Sequence, residues 1–211
     1  MKKILIEIAV AFGICCVIGV VLWFTIGGNQ KDYVEIEIPV TSVSENTMEK
    51  IKGFDKPRKF EFNNISYEYD SDSYVSILDN VSDAEAILGK NLVLPEACAD
   101  KEILMEMDTD CSYIELTPAL VSVDKVWAEI HVQIRLTNES YRFYTLYGNG
   151  EDDTYTEEEC EVNGQQITLY YFADKTFAVY LNDDISYVYT IYSTDPDEVK
   201  AFLGTISIPI S

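Results

Sequence analysis

Val126-Trp127-Ala128-Glu129-Ile130-His131-Val132-Gln133-Ile134-Arg135-Leu136 alternates in strict period two. Successive side chains of an extended chain point to opposite faces. One face therefore carries Val126, Ala128, Ile130, Val132, Ile134 and Leu136, and the other Trp127, Glu129, His131, Gln133 and Arg135. A strand apolar on one side and at least partly wet on the other belongs to an antiparallel sheet with a single covered face.

Strand signals continue on both sides of this segment. Downstream, Tyr141 to Tyr147 is aromatic and extended, and Glu157 to Val162 and Gln165 to Phe172 flank Asn163-Gly164. Asn-Gly between two alternating runs is the strongest short-range hairpin signal, because both turn residues must take positive φ. Phe177 to Leu181 and Ile185 to Tyr192, around Asn182-Asp183-Asp184, predict a second hairpin. Upstream, Tyr33 to Ile38, Phe60 to Tyr69 and Tyr74 to Leu78 read as strands, while Thr41 to Lys59 is polar and mixed.

Two short helices interrupt the strands. In Ser82-Asp83-Ala84-Glu85-Ala86-Ile87-Leu88-Gly89, Ser82 with Glu85 makes a capping box and Gly89 a stop. Val81, Ala84, Ile87 and Leu88 would face the core, and Leu92-Val93-Leu94-Pro95 follows as an extended apolar segment. Near the end, Thr194 or Asp195 caps a helix with Pro196 in its first turn and Gly204 after its last. The expected fold class is α+β: a mainly antiparallel β-sheet domain with one or two short helices packed on one face.

Ahead of that domain stands an apolar run from Ile4 to Ile26, interrupted by one charge, Glu7. At the helical rise it reaches about 34 Å, enough to cross a hydrocarbon core of roughly 30 Å. It is longer than a signal-peptide core and ends in Trp23-Phe24, an aromatic pair suited to the membrane interface. Met1-Lys2-Lys3 would remain in the cytoplasm by the positive-inside rule. The expected organisation is a cytoplasmic tail (1–3), a transmembrane anchor (4–26), a linker with leading strands (27–80) and an extracytoplasmic domain (81–211). The chain is thus read as a single-pass protein of the cell membrane with its bulk outside.

Charge narrows the partners. The chain carries 15 basic and 37 acidic residues, a net charge of −22. Setting aside Lys2, Lys3 and Glu7 leaves 13 basic and 36 acidic residues on the exposed part. Such a field repels nucleic acid and anionic polymers, and favours a protein or cationic ligand outside the cell. Outside the apolar run lie Cys98, Cys111 and Cys160, an odd number that a single chain cannot fully pair. Cys98 and Cys111 are near enough in sequence to close an easy loop. No Cys-x-x-Cys or Cys/His spacing suggests zinc.

No nucleophile elbow, phosphate loop or His-Glu-x-x-His motif is present. His131 shares its strand face with Glu129, one component of acid–base chemistry, although a charge pair on a wet face has the same pattern. Asp70/Asp72, Asp108/Asp110, Glu151-Asp152-Asp153, Glu157-Glu158-Glu159, Asp183-Asp184 and Asp195/Asp197 offer oxygens to calcium, but none matches the EF-hand loop, and solvated turns have the same pattern. The expected function is non-enzymatic: binding or sensing a partner, without cofactor or metal. The expected ligand-binding residues are Trp127, His131 and Arg135 with neighbouring tyrosines, which carry contact area at low entropic cost. The alternatives are an extracellular carboxylate-dependent hydrolase and a calcium-stabilised adhesion-type module.

The segments Ser82 to Pro95, Val162-Asn163-Gly164, Asp184-Ile185-Ser186-Tyr187 and the closing helix at Phe202-Leu203 together resemble a known arrangement. It is that of an uncharacterised extracytoplasmic domain, found behind the membrane helix of Gram-positive anti-sigma-factor-like membrane proteins. After the proline this chain continues Glu96-Ala97-Cys98, where that family continues with a second Pro and a Gly. The resemblance implies an α+β extracytoplasmic domain and assigns no catalytic residues. It implies no sigma-factor binding here, since Met1 to Lys3 is too short to hold a cytoplasmic partner.

Overall fold

The alternating segment forms the long central strand of the protein, Val126–Arg135 (β8). In the computed structural model, residues 33–53, 59–62, 65–68, 73–137, 143–148, 154–182 and 185–206 are described. Tyr33–Ser211 forms one compact unit. The apolar run 4–26 lies outside the described residues. Among the described residues, no helix is long and apolar enough to cross a membrane.

Every strand pairing in the main sheet is antiparallel. On one side of β8 come Tyr113–Pro118 (β6), Ile103–Asp108 (β5) and Ser73–Leu78 (β4). On the other come Ser186–Ile191 (β13), Thr176–Leu181 (β12), Gln165–Tyr171 (β11) and Thr156–Val162 (β10). Val121–Val123 (β7) folds back on the start of β8. The two hairpins stand as their turn residues dictate. Asn163 and Gly164 have φ of 52° and 83°, and the Asn182 side chain accepts from Ile185 N–H.

The first face of this sheet is covered by helices. Ala128, Ile130, Val132 and Ile134 of β8 are fully buried, in one cluster with Met105, Leu116, Leu169 and Tyr189. Three short helices supply the other half: Glu45–Lys52 (α1), Val81–Leu88 (α2) and Pro196–Leu203 (α3). They contribute Ile51; Ala84 and Leu88; and Val199, Phe202 and Leu203. The fold is α+β and mostly antiparallel.

Helix α1 falls in a segment whose sequence reads as mixed and polar. It buries only Thr47 and Ile51, so no apolar stripe betrays it. Its N-terminal signal is local, with Ser44 accepting from Thr47 N–H. Helix α2 is capped by Asn80, not by Ser82. Asn80 is extended and its side chain accepts from Asp83 N–H, while Glu85, freed from a capping box, accepts from Leu92 N–H at 2.8 Å. Gly89 ends the helix at φ 68°, a left-handed conformation that a Cβ disfavours. Among the described residues of the segment Phe60 to Tyr69, two strands pair antiparallel instead of one running through, Lys59–Phe62 (β2) and Ile65–Glu68 (β3).

Leu92, Val93 and Leu94 are buried in the core without joining the sheet. Their backbone must still find partners. Tyr187 OH accepts from Val93 N–H at 3.3 Å, and Tyr189 OH donates to Val93 C=O at 2.8 Å. Burial pushes both tyrosine hydroxyls well above their ordinary range. Cys98, Cys111 and Cys160 are free thiols, and burial pushes Cys98 up to about 12.

The second face is partly covered as well. Tyr33–Glu37 (β1) and Phe143–Tyr147 (β9) form a two-stranded ribbon. Val34, Ile36 and Leu146 pack there with Phe177, Val179 and Val188 in a second core cluster. The chain then crosses the end of β8: Val40 pairs with Arg135, and Thr41 N–H donates to Arg135 C=O at 2.7 Å.

Candidate functional site

The second face of β8 carries the three residues singled out from sequence, and register fixes their neighbours. At 3.3 Å per residue, Trp127 and Arg135 stand on the order of 26 Å apart, so the row does not converge on one point. Trp127 is 51% exposed at the open end, where Tyr192 N–H donates to its carbonyl. The Tyr192 hydroxyl bonds Glu129, and burial together with that carboxylate pushes it up to about 12.

His131 is half-buried in the middle of the row, its Nδ1 2.6 Å from Glu115 Oε1. Tyr113 OH donates to the other oxygen of Glu115 at 3.2 Å. Glu115 sits opposite Glu106 across β5 and β6, where two like charges disfavour the pairing. Each acid has its own donor, since Ser73 Oγ donates to Glu106 at 2.6 Å. This is a hydrogen-bonded row on a sheet face, with both carboxyl-bearing residues half-buried.

Arg135 differs from both. It is 6% exposed, at the end of β8 where Val40 pairs with it in a parallel bridge. It lines a concavity of about 590 Å³ with Glu37, Val40, Leu181 and Asn182. Sequence reading puts Gln133 and Arg135 on a face at least partly wet; at these two positions it is buried.

Sharing Glu37 and Leu181 with it is a second concavity of about 420 Å³, which runs along β1. Thr168, Tyr170 and Val179 form its floor, and Glu35, Ile36 and Glu37 form its wall. None of its lining residues is basic. Period two in Thr156–Val162 puts Glu157, Glu159 and Glu161 on the face of this floor, opposite Tyr170, Thr168 and Gln166. The alternate residues turn to the helix side, where Glu158 meets Lys200 at 2.7 Å and Val162 enters the main core. Burial first, then Glu157, raises Tyr170. Five glutamates, Glu35, Glu37, Glu157, Glu159 and Glu161, thus flank one trough, and all five are exposed. Among the described strands, β1 is paired on one edge only, by β9.

Sequence reasoning missed this trough. Its one local signal was the Glu-x-Glu-x-Glu spacing at Glu157 to Glu161, which reads equally as a solvated strand face. Among the described residues no three side chains gather as metal ligands. Asp110 instead accepts from Ser112 N–H within its turn, and Asp195 caps α3. No protein-family model, curated protein or solved structure matches the chain.

Proposed function

We propose that this chain is a single-pass membrane protein, anchored by residues 4–26 with its N-terminus inside, whose acidic domain binds a basic, extended segment of a partner outside the cell. Its role is recognition, without a catalytic step. The observation that carries this reading is the trough beside β1: a tyrosine and valine floor between two rows of glutamates, with no basic residue in its lining. A strand edge left unpaired offers backbone hydrogen bonds to an added strand, and alternate side chains then supply specificity. The net charge of −22 steers a cationic segment toward such a trough. The resemblance to an extracytoplasmic domain behind a membrane helix supports the same placement, and we carry it as part of this proposal.

The test uses the full chain in phosphatidylcholine nanodiscs and a fluorescent acetylated hexapeptide of alternating lysine and valine. Binding is expected at low salt and should fall at least about tenfold at high salt, because exposed charges are screened there. Replacing Glu157, Glu159 and Glu161 by Gln should weaken it by a similar factor, whereas Glu45→Gln with Glu49→Gln on α1 should leave it unchanged. Equal affinity for both variants would overturn the trough as the site.

A further inference from the structure

The end of the trough is built differently from the rest. Arg135 Nε is buried and has no hydrogen-bond partner. Among the described residues no carboxylate forms an ion pair with its guanidinium. Directly beside it, Gln133 and Ser186 face each other across β8 and β13, both 0% exposed. The amide nitrogen and oxygen of Gln133 and the hydroxyl of Ser186 are likewise unpaired. Buried polar groups without partners are costly, and a buried charge without a counter-charge more so. Of these three residues only Arg135 lines the concavity, and its unpaired guanidinium nitrogen marks a place for a polar group.

The chemistry of that group follows from three observations. The guanidinium fork matches a carboxylate in bidentate geometry. The field of a domain this acidic repels a free anion, so the carboxylate must arrive on a body that is otherwise cationic. At this end of the trough the chain crosses β8, with Pro39 and Val40 lining the concavity and Thr41 N–H donating to Arg135 C=O. A strand lying along β1 would meet that crossing there. We propose that the concavity at Arg135 takes the C-terminal carboxylate of the basic extended segment held in the trough. This rests on the reading of the trough given above, and it makes the recognised element a chain terminus instead of an internal loop.

The test compares the acetylated lysine–valine hexapeptide as free acid and as C-terminal amide, on the unaltered full chain in phosphatidylcholine nanodiscs. Charge alone favours the amide, which lacks one negative charge. The expected result is the reverse, with the free acid binding about tenfold more tightly. In Arg135→Met that preference should vanish while the amide keeps its affinity. Equal binding of acid and amide to the unaltered chain would overturn the carboxylate site and leave the trough standing. Binding of neither peptide would overturn both. The acid–amide comparison needs no variant, so a folding defect in Arg135→Met does not obscure it.

Discussion

Raising the pH from 9 to 12 is expected to unfold the domain. Cys98, Tyr187 and Tyr189 are held neutral by burial, each well above its ordinary value of 9.0 for the thiol and 10.0 for the phenols. In the unfolded chain these groups ionise at their ordinary values. A folded-state value raised above the unfolded one gives stability that is complete below the unfolded value and is lost as pH rises. Each group forfeits about 1.4 kcal/mol per pH unit beyond that point. Three groups together give a loss on the order of 4 kcal/mol per unit above pH 10, against a total stability of roughly 5–15 kcal/mol. Urea midpoints of the full chain in detergent at pH 8, 10 and 11 measure this. Tyr189→Phe should flatten the alkaline slope by one proton while lowering stability at pH 8, because Val93 C=O then loses its donor. Midpoints that stay constant to pH 11 would mean that the tyrosines do not hold the Leu92–Leu94 segment beneath the sheet.

Phe202→Ala is expected to cost about 3–5 kcal/mol, the range for emptying a buried aromatic site. Phe202 is 1% exposed and sits in the main core between Val199 and Leu203, both 0% exposed. Helix α3 is short, so its tertiary contacts, not its propensity, keep it folded. Its cap contributes less: Asp195 accepts from Asp197 N–H at 2.9 Å, and Asp195→Ala should cost about 1 kcal/mol. Thermal melts of the two variants separate these effects. A Phe202→Ala loss no larger than that of the cap variant would show that α3 is not seated on the sheet.

The parts legible in the sequence are those whose signals are local. Val126 to Arg135 shows its two faces residue by residue, Asn163-Gly164 specifies its turn, and Asp195-Pro196 announces a helix start. The parts that escaped depend on distant segments or on competing local partners. Helix α1 rests on two buried residues and has no stripe to read. The cap of α2 moved from Ser82 to Asn80 because Glu85 is taken by Leu92 N–H, a partner outside the helix. Gln133 and Arg135 continue a polar face by pattern, yet both are buried, and Arg135 pairs with Val40 from a distant segment. The trough forms only because β1 pairs with β9 and lies over β12 and β13. No periodicity within any one of these segments encodes that meeting.

Hydrogen exchange of the full chain in nanodiscs, with and without the lysine–valine hexapeptide as free acid, tests the trough most directly. The amides of Tyr33 to Ile38 and of Gln165 to Tyr171 should slow on binding, while Trp127 to His131 stay unchanged. Slowing confined to Trp127, Glu129 and His131, with β1 unaffected, would contradict the account and move recognition to the open end of the sheet.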